Sequence, residues 1–503
     1  MANLKSLAKD TAIYGMSSII GRFLNYLLVP LYTAKMAAST GSYGIITNVY
    51  SYTALLLVIL TFGMETTFFR YANKEKDPMR VYSTTLWMVG GVSLAFIILV
   101  FAFINPIAAW MQYPDHPQYV WTMFTCVAID SFQCIPFAYL RYKKRPLKFA
   151  ALKLLFIVLN ILLNVAYFVL VPILYEHEAT RWMVSGFYNG TLDVGYAFYI
   201  NLFCTAFVTL FFRKELTGFA YVFDKGLARK MWHYSWPILI LGIAGILNQT
   251  ADKIIFPFVA PHAGKEINVQ LGIYGACVKI AMIMTLITQA FRYAYEPFVF
   301  NKSKDKDSKE TYAAAMKYFI IFTLFAFLIV MAYMDILKRL IIAPDYWEGL
   351  RVTPIVMAAG ILLGVYFNLS LWYKLIDKTI YGMWFSIAGC MVLIAVNVIF
   401  IPRFSYMACA WGGVAGYGVA TLLSYFIGQK MYPINYPLKR IGLYVLLTAA
   451  CTWCIQEVPD DWGLWVKVAV KTVPLIVFLA VIVRLDFPLG NLPVVGKYFR
   501  KHH

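Results

Sequence analysis

The sequence predicts an all-α membrane protein with about fourteen spanning helices, and its composition and apolar patterning are the observations behind this prediction. Hydrophobic residues make up 61% of the 503-residue chain and charged residues only 14%, whereas soluble domains carry about 25% charged residues. The apolar residues are gathered in long blocks that can cross a hydrocarbon core of about 30 Å. Lipid is therefore the expected solvent for most of the chain.

The apolar blocks follow one another along the chain, and their connections are too short to hold a separate soluble domain. The first block follows a short basic start and is longer than the core of a signal peptide, so we interpret it as a retained helix. The expected spans are 11–33, 43–69, 82–104, 119–140, 150–172, 191–212, 235–256, 271–294, 313–333, 352–373, 379–401, 407–429, 441–456 and 464–483.

The formal net charge of +19 comes mainly from lysines and arginines in the loops, with no basic arm or nucleic-acid-binding module. Alternating spans put most of these cations on one side, which the positive-inside rule assigns to the cytoplasm. We therefore expect a multi-pass protein of the bacterial inner membrane with both termini cytoplasmic and no nucleic-acid partner. The eight cysteines lie in apolar blocks and are interpreted as small buried hydrophobes.

A weak internal repeat divides the chain. Residues 42–44 open the second span and residues 273–275 open the eighth, and both spans run toward a Phe-Arg-Tyr triplet, at 69–71 and 291–293. The offset predicts two six-helix lobes of the same orientation, as in transporters built from parallel repeats. The expected domains are an N-lobe at 1–212, a C-lobe at 213–434, and two appended helices with a tail at 435–503.

Arg22 is the most informative charge because it lies near the middle of the first span. A cation at that depth costs about 2.5–3.5 kcal/mol on insertion scales. Ser18, Arg22 and Asn25 share one helical face. The functional interpretation is a water-filled cavity that receives an anion, and the structural alternative is an ion pair with a carboxylate on another helix.

Other spans also carry polar residues. In the fifth span Lys153, Asn160 and Asn164 share one face, which indicates either cavity lining or interhelical packing. Lys279 in the eighth span is a candidate for the same cavity. Lys467 and Lys471, one turn apart near the end of the last span, are expected to snorkel to the interface.

The carboxylates inside the spans have two interpretations each. Glu65 and Asp130 either neutralise a nearby cation or titrate and couple transport to an ion. Adjacent Asp252 and Lys253 either take part in such coupling or form an interfacial pair. The sequence contains no phosphate-binding loop, metal-ligand spacing or nucleophile motif, so we expect no metal, no cofactor and no enzymatic activity.

With these features, the chain resembles the polysaccharide-exporter branch of the multidrug/oligosaccharidyl-lipid/polysaccharide superfamily. These are the Wzx-type oligosaccharide flippases, relatives of lipid II flippases and MATE exporters. The resemblance covers essentially the whole chain. It rests on the first span with its central arginine, on GSYGIITNVYSYTALLLVILTFGMETTFFRY, and on YSWPILILGIAGILNQTADKIIF followed by LGIYGACVKI.

The resemblance implies two lobes in a V with alternating access to a central cavity. The implied cargo is an undecaprenyl-diphosphate-linked oligosaccharide, flipped from the inner to the outer leaflet for surface polysaccharide biosynthesis. Arg22 matches the family's first-helix arginine and Lys279 a second-lobe cation, and both would hold the diphosphate. Guanidinium groups bind phosphate oxygens in bidentate fashion, which agrees with that cargo. Polysaccharide assembly enzymes are the implied protein partners.

Two alternatives stay open. A MATE-like, cation-coupled multidrug exporter would favour an acidic cavity in the first lobe, so Arg22 argues against it while Glu65 and Asp130 keep it open. A polytopic polysaccharide polymerase or ligase would usually carry a large outer loop, whereas the outer loops here are short.

Overall fold

The computed structural model describes residues 26–302, 308–376, 378–459 and 461–486, and every regular element in these ranges is a helix. Twelve helices there are long and apolar enough to cross a membrane. We number the main helices in chain order as α1 (Leu28–Lys35), α2 (Ser42–Lys74), α3 (Pro78–Ala102), α4 (Pro117–Tyr142), α5 (Pro146–Glu176), α6 (Gly195–Leu210), α7 (Lys225–Val259), α8 (Lys265–Arg292), α9 (Ser308–Ala332), α10 (Pro344–Leu375), α11 (Ile380–Phe404), α12 (Tyr406–Met431), α13 (Leu438–Gln456) and α14 (Leu464–Leu485).

The all-α membrane class is confirmed, and twelve of the expected apolar blocks coincide with candidate spans. Helix α6 is apolar but has only 16 residues, fewer than the roughly 20 that cross a bilayer without tilt or thinning. The first expected span, 11–33, lies mostly outside the described residues. The count of fourteen therefore stays a prediction.

Helix starts follow local sequence signals. Prolines occupy the first turns of α3, α4 and α5, where a missing N–H removes no intrahelical hydrogen bond. The Asp77 side chain caps α3 by accepting hydrogen bonds from two backbone N–H groups. Asp224 caps α7 in the same way. These caps satisfy backbone donors that the first turn leaves free.

Helix α2 is broken at Phe62 and Gly63, which have φ angles of +33° and +71°. This left-handed pair interrupts the helical hydrogen bonds and redirects the chain. A Cβ atom on Gly63 would lie 2.8 Å from the Ile238 side chain of α7. Glycine therefore serves both the backbone angle and the close approach of the two helices.

The chain divides into two compact units. The first contains residues up to 279 together with 383–419, and the second contains 280–382 and the residues from 420 onward. The expected lobe boundaries at 212 and 434 stay a prediction.

In the first unit, a core cluster joins α2, α3, α4 and α7 through Phe68, Tyr82, Ile135 and Met231. The start of α2 also packs closely against the start of α8. A Cβ atom on Gly44 would overlap the backbone carbonyl of Asn268. Small residues at this contact let the two backbones approach.

In the second unit, α9 packs against α10, α13 and α14. Most of its residues are buried. Near its start, the Lys317 ammonium pairs with the Asp486 carboxylate at the end of α14, and the Tyr444 hydroxyl of α13 also donates a hydrogen bond to Asp486. The Phe325 and Phe478 rings stack with centroids 6.3 Å apart between α9 and α14.

Candidate anion site in the first unit

Two tyrosines of the described part of the first helix form hydrogen bonds to other helices. The Tyr26 hydroxyl donates a hydrogen bond of 2.7 Å to the backbone carbonyl of Lys279 on α8. The Tyr32 hydroxyl donates a hydrogen bond of 2.7 Å to Oδ1 of Asn164 on α5. The stretch 26–35 therefore touches both α5 and α8. Three expected site residues, Ser18, Arg22 and Asn25, lie outside the described residues.

Asn160 and Asn164 are buried, with 3% and 0% of their surface exposed. The Asn164 amide donates to the carbonyl of Asn160 at 2.8 Å and to its Oδ1 at 3.1 Å. The Oδ1 atom of Asn164 accepts the hydrogen bond from Tyr32 and its NH2 group donates to Asn160, so both polar groups of this side chain have partners. These contacts support packing, the second of the two interpretations of this stripe, since buried amides in spans need such partners.

Lys279 is partly exposed, and its ammonium makes no ion pair or hydrogen bond with any described residue. The charged neighbour that acts on it is Lys253, which repels it. A cation inside a span needs water or an anion to offset its burial. The ammonium group of Lys279 is thus available to bind an anion.

Asp252 and Lys253, in contrast, form an ion pair with each other. The Lys253 ammonium lies 2.8 Å and 2.9 Å from the two Asp252 carboxylate oxygens. It also donates to the Gln249 carbonyl at 3.1 Å, and the Tyr274 hydroxyl donates to Asp252 at 2.6 Å. This geometry supports charge pairing and leaves little capacity for a coupling ion.

Glu65 is paired as well. Its carboxylate lies 2.9 Å from the Arg141 guanidinium at the end of α4, and the two side chains are 44% and 37% exposed. The guanidinium also lies 4.8 Å from the centroid of the Phe69 ring. Of its two interpretations, charge pairing fits this contact.

The carboxylate of Asp130 differs from those of Glu65 and Asp252 because it has no ion-pair partner among the described residues. Its oxygens accept a 3.4 Å hydrogen bond from the Thr205 hydroxyl and a 3.9 Å contact from the Cys126 thiol. Among the described residues, no cation lies within ion-pair distance of it. Asn201 and Tyr50 extend this polar group, with the Asn201 amide donating to the Tyr50 hydroxyl at 2.7 Å. Asp130 thus remains a candidate for ion coupling.

The expectation that Lys467 and Lys471 snorkel is wrong. Both are buried, and their ammonium groups lie 3.9 Å and 2.7 Å from the carboxylate of Asp335. Lys338 contacts the same carboxylate at 2.8 Å. A partner far away in the sequence makes burial of these lysines possible, which a hydropathy pattern does not reveal.

Long apolar helices with charged groups held between them define the class: a polytopic membrane protein. The family model described as polysaccharide biosynthesis protein matches residues 7–294, more than half of the chain, so the chain belongs to this family. The resemblance noted in the sequence is confirmed. No curated protein matches the chain.

Solved structures share the fold. A lipid II flippase MurJ in an inward closed conformation superposes with a TM-score of 0.71 at 13% identity, over 94% of this chain and 98% of that one. An inward-facing multidrug resistance transporter of the MATE family superposes at 0.60 with 15% identity, over 81% and 93%. The chain thus shares its fold with a protein named a lipid II flippase and with a MATE transporter.

Proposed function

We propose that this protein flips an undecaprenyl-diphosphate-linked oligosaccharide from the inner to the outer leaflet by alternating access, for surface polysaccharide biosynthesis. Membership of a polysaccharide biosynthesis family supports the pathway. The fold it shares with a protein named lipid II flippase supports a lipid-linked cargo.

The unpaired ammonium of Lys279 is the observation that carries this proposal. It sits in a span beside the first helix, linked to it by the Tyr26 hydrogen bond of 2.7 Å. Arg22 stands four residues before Tyr26 in the sequence, which is the spacing of neighbours on one helical face. We propose Arg22, Ser18, Asn25 and Lys279 as the group that binds the diphosphate.

The chemistry of such a group suits a diphosphate. Phosphate oxygens accept short, charge-assisted hydrogen bonds, and a guanidinium offers two of them in parallel while an ammonium acts as a compact point charge. Each of these cations alone would be costly in lipid, at about 2.5–3.5 kcal/mol. Bringing an anion between them offsets that cost, so the cavity favours anionic headgroups over organic cations.

The surrounding charges take subordinate roles. The ion pairs of Glu65 with Arg141 and of Asp252 with Lys253 support a structural role for both carboxylates. Asp130 is left as the proposed coupling group. The membrane is the bacterial inner membrane with both termini in the cytoplasm, and polysaccharide assembly enzymes are the proposed partners.

A MATE-like exporter of organic cations is the second candidate, and the unpaired carboxylate of Asp130 is the observation that favours it. Efflux of a cationic dye from cells tests this candidate. Dye extrusion by the wild type that disappears in Asp130→Asn would establish the exporter over the flippase.

The test of the flippase uses Arg22→Ala and Lys279→Ala in the native host. We expect loss of surface polysaccharide, with lipid-linked repeat units trapped facing the cytoplasm. Arg22→Lys should retain part of the activity because it keeps the charge. Lys35→Ala, which removes an exposed lysine at the end of α1, is the matched control and should behave as the wild type. Normal surface glycan in Arg22→Ala would overturn the proposal.

A further inference from the structure

An open groove lies on the first unit between α3, α4 and α6. Its volume is about 390 Å³, which falls in the range of roughly 300–1,000 Å³ that small-ligand sites occupy. Helix α4 packs against both α3 and α6 and lies between them. The groove is lined by Ala128 and Phe132 of α4, Gly90 and Leu94 of α3, and Ala206 and Leu210 of α6. Leu94 and Leu210 are 60% and 70% exposed, so the groove opens toward the lipid that surrounds the spans.

The lining of the groove is apolar, and the two hydroxyl groups that its residues carry are already bonded within the protein. The Ser93 hydroxyl lies 2.6 Å from that of Ser131. The Thr209 hydroxyl donates to the Thr205 carbonyl at 2.9 Å and accepts from the Gln133 amide at 2.7 Å. A sugar or a phosphate placed against this lining would lose the hydrogen bonds that it makes to water, whereas a hydrocarbon chain has none to lose. The groove is therefore suited to a hydrocarbon chain.

One end of the groove lies beside aromatic side chains of the kind that mark the membrane–water interface. Trp87, which precedes Gly90 by one turn of α3, donates a hydrogen bond of 3.2 Å to the Tyr221 carbonyl. The Trp87 and Tyr221 side chains are 52% and 54% exposed. Because exposed Trp and Tyr rings prefer the level of the lipid headgroups, a lipid chain in the groove would have its headgroup at this end.

Two cations stand at the same end. Helix α6 ends at Leu210 in the groove wall, and Arg213 and Lys214 follow directly in the next short helix. Both are exposed, and within the described ranges neither side chain forms an ion pair. The adjacent Glu215 is buried and already pairs with Lys148 at 2.6 Å. An anionic headgroup is the charge that complements Arg213 and Lys214.

We propose that this groove and the two cations at its end bind an anionic phospholipid, with one acyl chain in the groove and the headgroup phosphate at Arg213 and Lys214. An acyl chain matches a groove of about 390 Å³ better than the much longer isoprenoid chain of the proposed cargo does. The site shares no residue with the proposed diphosphate site, so it does not depend on the identity of the cargo. A lipid bound there fills the space between α3 and α6 and stabilises the folded unit.

Native mass spectrometry of the purified full-length protein in detergent measures the binding. The probes are palmitoyl-oleoyl phosphatidylglycerol, which is anionic, and phosphatidylcholine with the same chains, which has no net charge. Each Lys or Arg near an anionic headgroup contributes about fivefold in affinity, so the wild type should bind its first phosphatidylglycerol roughly thirtyfold more tightly than phosphatidylcholine. The double variant Arg213→Gln/Lys214→Gln should lose most of this preference. Lys35→Gln/Lys265→Gln removes two exposed lysines elsewhere in the unit and should keep it.

A second set of variants tests the groove itself. Ala206→Phe fills it and should weaken the binding of both lipids at least tenfold, since each methylene group left unburied costs about fourfold in affinity. Ala95→Phe adds the same ring at an exposed position of α3 outside the groove and should bind as the wild type does. Gly90→Leu and its control Gly91→Leu replace this pair where Ala206→Phe does not elute as a folded protein. A Cβ atom on Gly90 would lie 3.3 Å from the Phe132 ring, whereas one on Gly91 would have no atom within 4 Å.

Three results would overturn the inference. The first is equal binding of phosphatidylglycerol and phosphatidylcholine by the wild type, and the second is binding by Ala206→Phe as tight as that by Ala95→Phe. The third uses undecaprenyl phosphate as a competitor. If it displaces phosphatidylglycerol from the wild type and loses the same affinity in Ala206→Phe, the groove holds the chain of the cargo instead. None of these results bears on the proposed diphosphate site.

Discussion

Replacing Asp335 by asparagine is expected to destabilise the second unit, because three lysines, Lys338, Lys467 and Lys471, converge on this carboxylate. The ammonium groups of Lys338 and Lys471 lie 2.8 Å and 2.7 Å from it. Asparagine keeps the shape but removes the negative charge, so three lysines are left close together without a counter-charge. The Lys471 side chain is only 10% exposed, and removing one partner of a buried pair costs about 3–5 kcal/mol.

The pKa of Asp335 provides a second estimate of the free energy with which these ion pairs stabilise the second unit. Burial raises this pKa, but hydrogen bonds from Lys338 and Lys471 outweigh burial and lower it from 3.8 to about 2. A difference of roughly two pKa units corresponds to about 2.5 kcal/mol. Because the folded pKa lies below the unfolded one, this stabilisation is present above about pH 4 and is lost as the pH falls toward 2. The variant should therefore differ most from the wild type at neutral pH.

Thermal unfolding followed with a thiol-reactive dye is the assay, because most of the free cysteines are buried until the helices separate. At roughly 2–4 °C per kcal/mol for a unit of this size, the melting temperature should fall by about 6–20 °C. The control is Glu348→Gln, which breaks an exposed pair with Arg351 whose side chains are 59% and 61% exposed. Such a pair contributes about 0–1 kcal/mol. A melting temperature of Asp335→Asn no lower than that of Glu348→Gln would refute the reasoning.

Two further perturbations test packing and burial in the same dye assay. Gly44→Ala should lower the yield of folded protein sharply, because the added Cβ overlaps the backbone carbonyl of Asn268, whereas Gly442→Ala adds a Cβ with no atom within 4 Å and should melt as the wild type does. Lys148→Ala should destabilise more than Glu215→Gln, because the Glu215 carboxylate left behind is 2% exposed and keeps only the longer 3.8 Å contact with Arg145, while a freed Lys148 is 29% exposed and can be hydrated. Equal melting temperatures within either pair would contradict the corresponding argument.

The membrane class and most spans could be predicted from the sequence because hydropathy is a local property. The pair of Asp252 and Lys253 was also visible as an alternative, since the two residues are adjacent. The partner of Lys471 was not, because Asp335 lies 136 residues away. No local pattern encodes such a contact, and it turned two lysines expected at the interface into buried ones.

The candidate site shows the same division. The stripe of Lys153, Asn160 and Asn164 followed from helical spacing, but the bond from Tyr32 that makes Asn164 a packing residue comes from another helix. Similarly, the sequence did not show that Lys279 and Asp130 lack ion-pair partners among the described residues. This follows only from the structure, in which Glu65 pairs with Arg141 and Lys253 pairs with Asp252. Sequence located the charged residues inside the spans, and tertiary contacts decided which of them are already neutralised.

The second unit ties α14 both to α9 and to the short helix Met334–Ile341 that follows α9. Lys317 of α9 pairs with Asp486, just after the end of α14, and Asp335 of the short helix Met334–Ile341 pairs with Lys471 inside α14. Sliding α14 by a single turn would break both anchors at once. We therefore expect α9 and α14 to move together during the transport cycle. A spectroscopic label on α14 would then report the displacement of α9 without any change to α9 itself.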